Sequence, residues 1–194
     1  MGRLSDSPDL EMGKDSKDQM TVQEDFVKQA LADYESPLIG YAVGFLHDVD
    51  RARDVVQDTF IRLYQQDIDK VSGGLKTWLF TVCRNRALDV LRKEKRIVGL
   101  EEDQFARVPA GDRTPAERFD LDERVRQLKT ALERLSENQR EVILLKFEQG
   151  LSYEEIAEVT KLSSSNVGFI LHTGLKRLRT FLPEDLLQNL SQSS

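Results

Sequence analysis

The sequence predicts an all-α protein: two small helical domains joined by a flexible acidic linker, the C-terminal one a helix-turn-helix. Three observations carry this. Apolar residues recur at i, i+3, i+4 and i+7 through each long segment, the spacing of helices that bury one face. Serine or threonine followed three residues later by Glu or Gln recurs as a helix-start signature at Thr114, Ser136 and Ser152. After Arg96 the periodicity lapses into Glu101, Glu102, Asp103, Pro109, Gly111 and Asp112, which marks a linker over 97–113. The composition agrees: 194 residues, 39% hydrophobic and 32% charged, fit a globular protein rich in amphipathic helices.

Residues 1–21 are polar, with Asp6, Asp9, Glu11, Asp15 and Asp18, and read as a disordered tail. Val22 to Tyr34 follows helical spacing through Val22, Phe26, Ala30, Leu31 and Tyr34. Ser36-Pro37 is expected to break this helix, since proline disfavours the α conformation before it, and a second helix is expected over Leu38 to Leu46. His47 falls in a connection and has no second ligand at metal spacing, so it reads as a surface loop residue. Asp50 to Gln66 is the third helix, with Ala52, Val55, Val56, Thr59, Phe60, Leu63 and Tyr64 as its apolar face. Asp54, Gln57, Asp58 and Ile61 form one ridge on its other side, either ordinary solvated surface or a docking ridge for a partner helix. Asp67 to Leu75 is expected to be a loop around Ser72-Gly73-Gly74.

Lys76 to Arg96 is the centre of the first domain. Leu79, Val82, Cys83 and Val90, with Ala87 and Leu91 beside them, make an apolar stripe. The remaining faces carry Arg84, Asn85, Arg86, Arg92, Lys93, Lys95 and Arg96 in a chain whose net charge is −6. Such a helix is either solvated, with a basic last turn favoured by the helix dipole, or a phosphate- and base-binding element whose aromatic head stacks on an unpaired base. Trp78, the only tryptophan, reads as a core anchor or as that stacking head. Cys83, the only cysteine, excludes an internal disulfide and a cysteine-based zinc site, and its place on the stripe reads as a buried thiol.

Beyond the linker, Thr114-Pro115-Ala116-Glu117 opens a helix packing through Phe119, Val125, Leu128, Ala131, Leu132 and Leu135. Ser136 opens the next, Glu137 to Gln149, with Val142, Ile143, Leu145 and Phe147 as its apolar residues, and Gly150 ends it in a left-handed stop. Ser152 opens a short helix with Ile156, Ala157 and Val159. The turn Lys161-Leu162-Ser163 leads to a last helix, Ser164 to Leu182, with Val167, Ile170, Leu171, Leu175, Leu178 and Leu182 inward; a polar tail, 184–194, follows Pro183. Short helix, tight turn and longer helix are the shape of a helix-turn-helix, whose second helix enters the major groove, although plain helical hairpins share it. The reading residues would be Ser163, Ser164, Ser165 and Asn166: asparagine pairs with adenine, serine with several base edges or phosphate.

Three stretches, in order, resemble a bacterial RNA polymerase sigma factor of the extracytoplasmic function (ECF) type. They are Asp54 to Tyr64; Lys76-Thr77-Trp78-Leu79-Phe80 with Arg84-Asn85-Arg86-Ala87-Leu88-Asp89; and Leu135 to Val142 with Gly150 to Ala157. The resemblance covers roughly 22–182 and implies a sigma region 2-like domain over 22–96 and a region 4-like domain over 114–183. It implies that Asp54, Gln57, Asp58 and Ile61 contact the β′ clamp helices of core RNA polymerase. The 67–75 loop would cradle a flipped −10 base, and Lys76, Trp78, Arg84, Asn85, Arg86, Arg92 and Lys93 would hold or read the promoter strand. The 97–113 linker would run through the polymerase active-centre and RNA-exit channels. The second domain, beside the β flap, would bind the −35 element of promoter DNA, and an anti-sigma factor is a further expected partner. One departure stands out. Where the family presents arginines in mid-helix, this chain has Phe169 and His172, and basic charge returns only at Lys176, Arg177 and Arg179. Phe169 and His172 are read as contacts to thymine methyls or phosphate, or as a buried contact with a partner. Promoter selectivity is therefore expected to weigh more on Lys76 to Arg96.

A net charge of −6 predicts weak binding of free DNA, as suits a protein that meets DNA inside a larger assembly. A stand-alone helix-turn-helix regulator is the alternative, but it has no use for the Asp54/Gln57/Asp58 ridge or a basic strand-holding helix. An enzyme finds no support: there is no Gly-rich phosphate loop, zinc-ligand cluster or Gly-x-Ser-x-Gly elbow, and no cofactor or metal is expected. No segment reaches the roughly 18 apolar residues of a membrane span, and the acidic N-terminus lacks a signal-peptide pattern, so a cytoplasmic protein without membrane insertion is expected.

Overall fold

The computed structural model describes residues 12–98 and 119–182, and every regular element among them is helical. The chain divides into two compact units, Met1–Ala106 and Arg107–Ser194. The expected linker, the Thr114 cap and the tail after Pro183 fall mostly or wholly outside the described residues.

In the first unit α1 (Met12–Leu46), α2 (Val49–Tyr64) and α4 (Leu75–Val98) pack against one another. Helix α1 corrects two expectations. It begins at Met12, inside the segment read as tail, and it runs through Pro37 without a break. Proline there has no N–H for the Asp33 carbonyl, at a cost of about 3 kcal/mol in a helix interior. Yet Val27, Ala30, Leu38, Tyr41, Ala42 and Leu46 are all buried on one continuous stripe spanning the proline. At roughly 1.5–3 kcal/mol for each large side chain buried, tertiary packing outweighs the local cost. The expected loop after α2 is also regular: α3 (Ile68–Val71), capped by Asp67, and a 3-10 turn over Ser72–Gly74 lead directly into α4.

Helix ends are closed by side chains. Asp48 accepts from the Asp50 and Arg51 amides at 2.9 and 3.0 Å and starts α2, while His47 is exposed in a left-handed conformation (φ 52°) at the turn. At the other end of α2, the Gln23 amide of α1 donates to the carbonyls of Tyr64 and Gln66 at 3.0 and 3.1 Å, satisfying groups the helix leaves without partners. The core centres on Phe80, Leu79, Leu63 and Leu38, all fully buried, with Tyr41 edge-on to Phe80 at 5.1 Å between ring centroids. Phe80, which the stripe reading omits, is the aromatic anchor of α4; Trp78 is only half-buried. Cys83 is fully buried beside Thr59, and burial pushes its thiol up to about 12, against a smaller opposing effect of a hydrogen bond with Thr59.

The second unit contains α5 (Phe119–Glu133), α6 (Glu137–Phe147), α7 (Tyr153–Thr160) and α8 (Ser164–Arg179). Ser136 and Ser152 form full capping boxes with Gln139 and Glu155, and Gly150 takes the left-handed conformation (φ 67°) expected of it. Val142, Leu145, Leu151, Ile156, Val159 and Val167 make the core. Helix α8 closes on α6 at Gly174, where a Cβ would stand 3.1 Å from Ile143 Cδ1 and 3.3 Å from Gln139 Cβ. Three expected core residues are exposed instead: Val125 and Leu128 on α5, and Phe147, 65% exposed, at the end of α6. Among the described side chains of α5 Ala131 is buried, as is Leu135 just beyond the helix, while the expected contact of Phe119 lies outside the described side chains. Phe147 stands one turn beyond buried Ile143, at the last residue of α6. The Arg134 guanidinium covers the Phe181 ring at 4.0 Å from its centroid.

Candidate nucleic-acid interface

Each unit presents one surface that combines exposed polar groups with unspent apolar ones. In the first, α1 and α2 enclose a groove of about 490 Å³ with Val27, Leu31, Ile39, Val56 and Phe60 in its lining. Asp54, Gln57 and Ile61 line it from α2, joined by Arg53, Tyr64 and, from α1, Glu35. Ile61 is 50% exposed. The acidic ridge of α2 is thus divided. Asp54 and Gln57 belong to the groove, whereas Asp58, half-buried, turns toward α4 and forms an ion pair with Arg86.

That pair joins two residues to which the resemblance gives different tasks. It leaves Arg86 held in place rather than extended into solvent. Arg92 is likewise paired, with Asp89 at 3.1 Å on its own helix, whereas Glu94, an acid of α4, is taken by Arg51 of α2. The basic character of α4 is therefore partly neutralised within the unit. Asn85, Lys93 and Arg96 are exposed; Lys76, Trp78 and Arg84 are half-buried. The helix forms where its pattern places it, because Leu79, Cys83 and Ala87 recur at its buried face while the charged residues fall outside that line.

In the second unit α7, the turn Lys161–Ser163 and α8 form the helix-turn-helix. Lys161 supplies the left-handed turn residue (φ 62°). Ser163 accepts the Asn166 amide at 3.2 Å, so its hydroxyl oxygen caps α8 and contributes to the helix before any contact with a ligand. Val167, Leu171, Gly174 and Leu178 face the core. Ser165, Phe169, His172 and Lys176, spaced four, three and four apart, align on the opposite side and are exposed, with Ser164 and Asn166 exposed at the helix start. Phe169 is 66% exposed. Lys176, Arg177 and Arg179 place positive charge in the last turn, where the helix dipole favours it and where a phosphate backbone can be met.

Among the described residues no helix is long and apolar enough to cross a membrane, and no group of three or more His, Cys, Asp or Glu residues is placed to hold a metal ion.

A helical unit bearing an apolar groove is followed along the chain by a helix-turn-helix, a shape shared by many DNA-binding proteins. Residues 31–97 match the family described as Sigma-70 region 2, and residues 125–178 that described as Sigma-70, region 4. The ECF RNA polymerase sigma factor SigX of Bacillus subtilis is 31% identical over 164 residues, covering 80% of this chain and 84% of the relative. Among solved structures, the sigma factor RpoE in complex with the anti-sigma factor NepR from Bartonella quintana is similar at 30% identity and a TM-score of 0.60, covering 81% of this chain and 96% of that one. CnrH in complex with the cytosolic domain of CnrY is similar at 27% identity and a TM-score of 0.53, with 79% and 85% covered. The chain belongs to the ECF RNA polymerase sigma factors: it is a transcription initiation factor that directs polymerase to promoters.

Proposed function

We propose that the two surfaces divide this task. The first unit docks core RNA polymerase through the α1/α2 groove and opens the −10 region along α4, and the second unit binds the −35 element through α8. The observation that carries the reading is the groove, an apolar trough edged by Asp54, Gln57 and Ile61, which suits a helical partner with basic and apolar side chains such as the β′ clamp helices. Asn85, Lys93 and Arg96 give α4 an exposed polar face for the displaced strand, and half-buried Trp78 retains enough open surface to stack on a base. Asp58 and Arg86 act as one unit, so their assigned contacts with polymerase and with DNA are coupled through the ion pair. The second unit meets the β flap as it binds the −35 duplex. Action with polymerase places the protein in the cytoplasm, and an anti-sigma factor, as in the complex of the similar RpoE with NepR, is the partner expected to block one or both surfaces.

The test is transcription in vitro by core enzyme plus this chain on a random promoter library. Enrichment of templates sharing two elements near −10 and −35 is expected. Asp54→Ala with Gln57→Ala should lower core binding about tenfold, the scale of losing roughly 1.4 kcal/mol of interface contacts. Core binding unchanged by both substitutions would rule out the groove as the docking site.

A further inference from the structure

Phe169 is the most exposed large apolar side chain among the described residues, and it stands at the centre of the outward line of α8. Its position is set by the helix, since the buried residues Val167, Leu171, Gly174 and Leu178 fix the opposite face against the core. One turn to either side are Ser165 and His172, with Asn166 beside them and Lys176 a further turn on, all exposed. On this line the ring is the one large apolar group among hydrogen-bond donors and a cation; the partly exposed Tyr153 lies beside Gly168, off the line. A protein partner would be met by a contiguous apolar patch, which this line lacks. A base-pair edge in the major groove has the matching mixture: thymine displays a C5-methyl group next to an O4 acceptor, and adenine displays N6 and N7, which an asparagine amide can pair.

We propose that Phe169 is a specificity-determining residue that reads thymine C5-methyl groups in the upstream promoter element. The proposal rests on α8 being the −35-reading helix. Phe169 packs on methyl groups while Asn166, Ser165 and His172 bond the neighbouring acceptors, and Lys176, Arg177 and Arg179 hold phosphates. The consequence is a T-rich upstream element selected by apolar contact, where mid-helix arginines would select guanine. Exposure also makes the residue testable, because its truncation removes no core contact.

The experiment replaces thymine by uracil in the upstream element of a promoter recovered from the library, a change that removes only the methyl groups. Holoenzyme reconstituted from core and the full chain is assayed for open-complex formation on both templates and on one with the element scrambled. Wild type should lose about fourfold per contacted methyl on the uracil template. Phe169→Ala should be weak on the thymine template and should no longer distinguish the two, and Phe169→Leu should retain part of the discrimination. Equal activity of wild type on thymine and uracil, with activity still lost on the scrambled element, overturns the proposal and leaves α8 as the reading helix. Indifference to scrambling overturns both. Discrimination that persists unchanged in Phe169→Ala assigns the methyl effect to the DNA itself and overturns the role of Phe169.

Discussion

Gly174 seats α8 close against α6, and substitutions there measure how tightly α8 is held. A Cβ would lie 3.1 Å from Ile143 Cδ1 and 3.3 Å from Gln139 Cβ, both closer than ordinary carbon contact. The two neighbours differ in how they can respond. Ile143 Cδ1 is the end of a side chain and can swing, whereas Gln139 Cβ is fixed to the α6 backbone. In Gly174→Ala, about 1 kcal/mol gained in helix propensity offsets the adjustment, so stability should change by less than about 1 kcal/mol. Gly174→Val adds two methyl groups at the same contact and gains only about 0.3 kcal/mol in propensity, against about 1–3 kcal/mol for overpacking. A net loss of about 0.7–2.7 kcal/mol follows, a lowering of the unit's melting temperature of roughly 3–22 °C for a domain of this size. The only tryptophan, Trp78, belongs to the first unit, so its fluorescence isolates that unit while far-UV circular dichroism follows both. The valine variant should move a circular-dichroism transition and leave the tryptophan transition in place. A valine variant as stable as wild type would refute the close seating of α8 on α6.

The ion pair between Asp58 and Arg86 predicts non-additivity. Because both side chains are partly exposed, their coupling in a double-mutant cycle of folding stability should be about 0.5–1 kcal/mol, and additivity within error would remove the pair from the account. Burial of Cys83 predicts an alkaline limit. Its folded-state pKa is raised to about 12 from 9.0, so the folded chain keeps the proton longer than the unfolded one, and stability present below pH 9 should decline as pH rises from about 9 toward 12. Wild type and Cys83→Ala compared by urea denaturation across that range isolate the contribution; the same slope in both would contradict it. At pH 8 the thiol should react with a maleimide only on unfolding.

The sequence made the helix-turn-helix legible because its start and stop signals are local. Ser136, Gly150, Ser152 and Ser163 each act within a few residues of themselves, and each adopts the expected role. Pro37 is also a local signal, but a long buried stripe overrode it. The choice between Phe80 and Trp78 as the aromatic anchor needed the directions of α1 and α2, since helical spacing places both near the boundary of the buried face. Phe147, Val125 and Leu128 show the converse: an apolar residue at helical spacing is buried only if another element arrives to cover it. Gly174 could have been found, as a glycine inside a helical pattern signals either weakness or close approach. The Asp58–Arg86 pair could not, because its members are 28 residues apart and lie on different helices.

That pair changes how the basic helix is understood. Read along the sequence, Arg84 to Arg96 is a cluster of positive charge waiting for DNA. In three dimensions Asp58 holds Arg86 and Asp89 holds Arg92. An arginine already paired offers a phosphate less than an isolated one, because binding DNA must first displace a carboxylate. The weak binding of free DNA expected from the net charge of −6 would therefore have a local cause in α4 as well. The two causes separate experimentally. High salt weakens charge interactions beyond about 10 Å at 0.1 M, and Asp58→Asn frees Arg86 but also raises the net charge by one, a change that Asp25→Asn on α1 makes without touching Arg86. If Asp58→Asn raises the affinity of the free chain for single-stranded −10 DNA at fixed salt more than Asp25→Asn does, the α2 carboxylate restrains α4. An equal effect of the two substitutions would leave net charge alone as the restraint.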